Sequence, residues 1–70
     1  MSNKMIIYGY RGWRKTPLQI CHRKDIEIVC RSHMADGYDA VRAYDDNDNC
    51  VASFDRAANG RVVNGLKSLA

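Results

Sequence analysis

The sequence predicts a mainly β or α+β fold: a single small domain over residues 1–70, built on a four- to five-stranded antiparallel sheet with little helix. Three observations carry that expectation. The runs rich in Ile, Val and Tyr are short, as strands are. Each is bounded by residues that favour turns, at Gly9 and Gly12, at Asp45–Asn49 and at the Asn59-Gly60 and Asn64-Gly65 pairs. There is no internal repeat, no linker composition and only one proline across 70 residues, which leaves room for one core.

The first strand is expected at Lys4 to Tyr10. Gly12-Trp13-Arg14-Lys15 then reads as a loop. Thr16-Pro17 fits the start of the next strand, since proline is tolerated at a first position but not within a ladder. Leu18 to Arg23 and Ile26 to Ser32 suggest a hairpin about Arg23-Lys24-Asp25. A three-residue loop gathers Leu18, Ile20, Ile26, Ile28 and Cys30 on one face, whereas a two-residue loop would divide them between both. In that register Cys21 and Cys30 point to opposite faces, which argues against a disulfide between them.

Residues 35–44 admit two readings. Asp36 could cap a short helix with Met34, Tyr38 and Val41 on one stripe. The favoured reading pairs a strand at Tyr38–Tyr44 with Cys50–Phe54 across Asp45-Asp46-Asn47-Asp48-Asn49, a run of turn formers. Val62-Val63 is expected as a short strand, followed by a frayed helical turn at the C-terminus. The strands would curl around a small core. A helix at 35–44 would instead make a two-layer domain with the helix across the sheet.

Composition narrows the classes further. The apolar share of 46% and charged share of 27% are those of a globular protein. The longest apolar run, Met5-Ile6-Ile7-Tyr8, is far too short for a membrane span, and no apolar signal-peptide core follows MSNKM. Three cysteines are an odd number, which favours free thiols in a reducing compartment, so the cytoplasm is the expected location. So small a core with no evident staple leaves both monomer and homodimer open. Residues 1–33 carry a net +5 and residues 34–70 a net −2, which suggests a basic and an acidic face if the fold keeps the halves apart.

The richest candidate site lies between positions 8 and 15. There Tyr8, Tyr10, Arg11, Trp13, Arg14 and Lys15 set rings beside cations. Nucleic-acid binders use such a mixture, Lys/Arg for phosphate and rings for bases, and protein interfaces also enrich Trp, Tyr and Arg. The competing structural role is Trp13 closing one end of a small barrel with its neighbours merely solvated. The loop lacks the aromatic-rich strand signature of the common RNA-binding sheet.

Other constellations fail on chemistry. Cys21-His22, Cys30 and His33, with Cys50, invite a zinc reading. Adjacent residues on a strand point to opposite faces, however, so Cys21 and His22 cannot share one ion. No nucleophile elbow or oxyanion loop supports a Cys–His pair, and nothing singles out His22, His33, Lys24 or Arg31 for acid–base work. A calcium loop starting at Asp45 would need Gly and Glu where Cys50 and Arg56 stand. There is no GxxxxGK[ST] or GxGxxG phosphate loop.

The expectation is therefore a non-enzymatic binding protein with no cofactor and no metal, acting stoichiometrically by covering a surface on a larger protein or protein–nucleic acid complex. Its contact surface would be Tyr10, Arg11, Trp13, Arg14 and Lys15 together with Arg23 and Lys24. Small phage and mobile-element inhibitors of host machinery, anti-CRISPR proteins among them, are the analogy in size and simplicity. The alternative is a small barrel-like domain that binds RNA or DNA directly through the same basic-aromatic loop.

Overall fold

Two glycine-dependent turns and one helix organise the chain. The computed structural model describes residues 3–66, with the backbone alone for 64–66. β1 (Lys4–Arg11) turns tightly into β2 (Arg14–His22), with Arg11 opposite Arg14 across Gly12-Trp13. Gly12 adopts φ +62 at the first central position, as a type II′ hairpin turn requires. Its N–H donates to Asp39 Oδ2 at 2.6 Å, which ties the tip to the body. A 3-10 turn at Arg23–Asp25 leads into α1 (Ile26–Ala35), and β3 (Ala40–Tyr44), β4 (Cys50–Arg56) and β5 (Val62–Leu66) follow. The five strands form one antiparallel sheet in the order β2-β1-β3-β4-β5.

The antiparallel sheet and its strand count agree with the sequence expectation, and so does the 38–54 hairpin. The acid-rich run closes that hairpin because Asp45 Oδ1 accepts from the N–H groups of Asn47 and Asn49, both at 2.9 Å. Asp48 supplies the left-handed residue at φ 65. The alternative helix at 35–44 does not form. Val62-Val63 begins a strand, while the terminal helical turn lies largely outside the described residues.

The 18–32 hairpin is the main correction. Residues 26–35 are helical, and β2 pairs with β1 instead. Ile26, Ile28 and Cys30 satisfy a strand's alternation, but Ile26, Cys30 and Met34 also recur at helical spacing, and these three are the buried ones. Ile28 stands 74% exposed, so the alternation was coincidental. Glu27 lies in the first turn, where the helix dipole favours it, and pairs with Arg31 at 3.0 Å. Gly37, at φ +103, ends the helix by returning its N–H to Met34 O at 3.1 Å.

Two lesser corrections follow. β2 begins at Arg14, so Arg14 and Lys15 are strand rather than loop, and Pro17 lies inside the strand. It is tolerated because β2 is an edge and the register slips there, Ile7 facing Gln19 and Tyr8 facing Pro17 with Leu18 in excess. Cys21 packs against the helix-side core that contains Cys30, so the two share a side. Cys21, Cys30 and Cys50 are all free thiols.

The result is two layers rather than a curled sheet. α1 covers one face, where Met5, Ile7, Val41, Ala43, Ala52 and Phe54 join Ile26, Cys30 and Met34 in the core. Among the described residues nothing covers the opposite face. No helix among them is long and apolar enough to cross a membrane.

Candidate interaction face of the sheet

Strand alternation sends Ile6, Tyr8 and Tyr10 of β1 to the uncovered face, opposite to Met5, Ile7 and Gly9. The register adds to them from both sides. Lys15 of β2 lies across from Tyr10, Arg42 of β3 across from Tyr8, and Tyr44 across from Ile6. Three tyrosines from two central strands thus share one face with a cation on either flank.

The side chains interlock. Tyr8 and Tyr44 meet edge to face, their ring centroids 5.6 Å apart at 78°. Lys15 Nζ sits 4.3 Å from the Tyr8 ring centre and 5.2 Å from that of Tyr44. Arg42 lies over Tyr10, its Cζ 4.9 Å from the ring centre. Arg42 Nη2 also donates to Asp55 Oδ1 at 2.9 Å, and Ser53 Oγ donates to Asp55 Oδ2 at 2.9 Å. Asp55, the one carboxylate by register on this face, is neutralised in place. Lys15 rests on rings, with no ion pair to a carboxylate among the described residues.

The Tyr44 hydroxyl is pushed up to about 12. A hydrogen bond with Tyr10 is the largest cause, burial comes next, and the Arg42 charge works the other way. Tyr10, Tyr44 and Arg42 therefore form one polar cluster, in which the Tyr44 phenol stays neutral throughout the physiological range.

The sequence-derived contact residues separate into three places. Tyr10 and Lys15 lie on the open face, whereas Arg14, across from Arg11, falls on the other side of the strand pair. Trp13, at the turn beside them, is 95% exposed and closes no barrel end. Arg11 leaves this group, because its guanidinium stacks on Tyr38 with Cζ 4.2 Å from the ring centre. Arg23 and Lys24 stand at the other end of β2, roughly 30 Å from the tip at strand rise. There they border a cleft with Asn3, His22 and Glu27. Arg42 and Tyr44 escaped the sequence reading because they join the face through β1–β3 pairing, more than thirty positions away in the chain. The i, i+2 pattern Ile6-Tyr8-Tyr10 was the available signal. It is an aromatic strand signature, carried on β1 rather than on the loop.

The charge halves do not separate cleanly. β1 and β2 contain no acidic residue, but the Asp45–Asn49 turn lies close enough to Arg23 to feel its charge. Asp45 is held below the usual carboxylate range, first by the Asn49 backbone N–H. The Cys/His set is dispersed as well. Cys30 is fully buried, His33 Nε2 meets Gln19 Oε1 at 2.7 Å, and His22 Nδ1 accepts from Lys24 N at 3.2 Å. Among the described residues no three His, Cys, Asp or Glu side chains are placed to share an ion.

Fold and face together define a class, a two-layer α+β domain with one sheet face uncovered among the described residues and furnished with tyrosines and cations. Comparison with known protein families, with characterised proteins and with solved structures finds no match to this chain.

Proposed function

We propose that this protein is a non-enzymatic binding protein that acts stoichiometrically, laying its open sheet face on a larger macromolecular partner. One observation supports the reading: Tyr8, Tyr10 and Tyr44 converge with Lys15 and Arg42 on the single sheet face that no second layer covers among the described residues. Tyrosine and arginine give large contact areas at low entropic cost and still hydrogen-bond at their edges, which is why binding surfaces concentrate them. The sheet holds these rings in register before any partner arrives, so little ordering cost remains for association. Trp13 extends the surface at the hairpin tip. Arg23 and Lys24 lie outside it. Occlusion of whatever process uses the covered surface is the consequence.

The test is capture from cells of the native source by the immobilised protein, with Tyr8→Ala plus Lys15→Ala compared against Arg23→Ala plus Lys24→Ala. The first pair should lose the captured material and the second should keep it. A face variant that melts cooperatively yet retains the same material would refute the assignment.

A further inference from the structure

Resting on that reading, we infer that what the open face takes from its partner is single-stranded nucleic acid. The bases would stack on Tyr8, Tyr44 and Tyr10, and the backbone would follow the cations toward the hairpin tip.

Charge favours this occupant. Lys15 and Arg42 lie on this face, and the strands β1 and β2 hold no acidic residue. The face's Asp55 is already held by Arg42 and Ser53. Among the described residues, an incoming polyanion therefore meets no unpaired carboxylate on this face. Lys15 is poised for it, because its ammonium rests on two rings at 4.3 and 5.2 Å and can exchange them for phosphate by rotating a flexible stem. Leaving a ring at an exposed site costs little, and contact with phosphate releases condensed counterions in return.

Geometry favours it too. Tyr8 and Tyr10 lie two residues apart on one strand, which sets their Cα atoms about 7 Å apart, within the reach of successive bases of an extended strand. Tyr44, on the neighbouring strand, provides a second row. Stacking needs unpaired bases, and a sheet surface has nothing to insert into a duplex groove. Beyond Tyr10 and Lys15 the turn presents Trp13, whose indole is 95% exposed, as one more ring in line with the face. A protein partner would be better served by a broad apolar centre, whereas here the aliphatics are Ile6 with Ile20 across from it, away from the hairpin tip, and Val63 on the far strand β5.

The experiment is fluorescence anisotropy of labelled homopyrimidine DNA and RNA strands about a dozen nucleotides long, against a duplex of equal length, over a salt series. Either single strand should bind, with the duplex much weaker. Tyr8→Ala or Tyr44→Ala should weaken binding roughly 5- to 100-fold, and Tyr8→Phe should preserve it because the ring remains. Lys15→Ala should flatten the slope of log affinity against log salt by about 0.7. Duplex binding equal to single-strand binding would overturn the inference. So would single-strand binding indifferent to Tyr8→Ala, Tyr44→Ala and Lys15→Ala. If neither strand binds while capture from cells still depends on Tyr8 and Lys15, the inference falls and the binding reading stands, with protein as the partner. If capture is also indifferent to the face, both fall.

Discussion

Gly9→Ala is the substitution on which the packing of this fold can be judged most sharply. Gly9 lies mid-β1 with its Cα toward the helix side, and no positive φ forces glycine there. A Cβ would stand 2.7 Å from Leu18 Cδ1 and 2.8 Å from two ring carbons of Tyr38. Leu18 can yield by rotation. Tyr38 cannot yield as easily, because Arg11 stacks on it and His33 meets it edge-on at 6.2 Å between ring centres. Overfilling a packed site costs about 1–3 kcal/mol. Alanine's smaller loss of backbone freedom in a strand returns about 0.5–1 kcal/mol. The net expectation is destabilisation of about 1–2 kcal/mol, or roughly 5–15 °C in Tm for a domain of this size. That is a sizeable part of the roughly 4–10 kcal/mol such a domain holds in total. Thermal and urea melts followed by far-UV circular dichroism measure it. The double variant with Tyr38→Ala should cost less than the two single changes combined, by about 1 kcal/mol. A Gly9→Ala protein as stable as its parent, or strict additivity with Tyr38→Ala, would refute the close approach.

Three further outcomes are expected. Arg56 donates to Met34 O and Tyr38 O through Nη2 and to Gly60 O through Nη1, joining the helix end to the β4–β5 turn. Arg56→Lys cannot reproduce that fork, so it should lower stability by about 1–2 kcal/mol in urea melts. Tyr44 is raised from 10.0 to about 12, so the stability it contributes is complete below pH 10 and lost as pH rises through about 12. Titration of the tyrosinate absorbance should show the Tyr44 phenol ionising late, and Tyr10→Phe should bring it down and reduce the stability lost across that window. Cys30 is likewise pushed up from 9.0 to about 12, chiefly by burial and then by Cys21 and Cys50. Mass spectrometry after brief iodoacetamide treatment should find Cys21 and Cys50 modified ahead of Cys30, with all three labelled in denaturant.

What could be read from the chain alone was whatever local chemistry decides. β1, the β3–β4 hairpin and the β5 start are legible because Gly12, the Asp45–Asn49 run and Asn59-Gly60 bend the backbone whatever surrounds them. The sheet's strand count agrees with the expectation although the strand expected at Ile26–Ser32 is helix, and the register argument that set Cys21 and Cys30 on opposite faces did not survive. Tertiary structure decided the rest. Ile26–Ala35 carries both a two-residue and a helical period, and the choice fell to helix because Ile26, Cys30 and Met34 find a sheet face to bury against. That left β2 to pair with β1 and brought Lys15 beside Tyr10. The candidate face needed the same global arrangement. Tyr44 and Arg42 meet Tyr8 and Tyr10 only because β3 returns to the free edge of β1, and α1 buries one sheet face while nothing among the described residues covers the other. Turns are local energies and legible in sequence, whereas which faces meet is a property of the whole core.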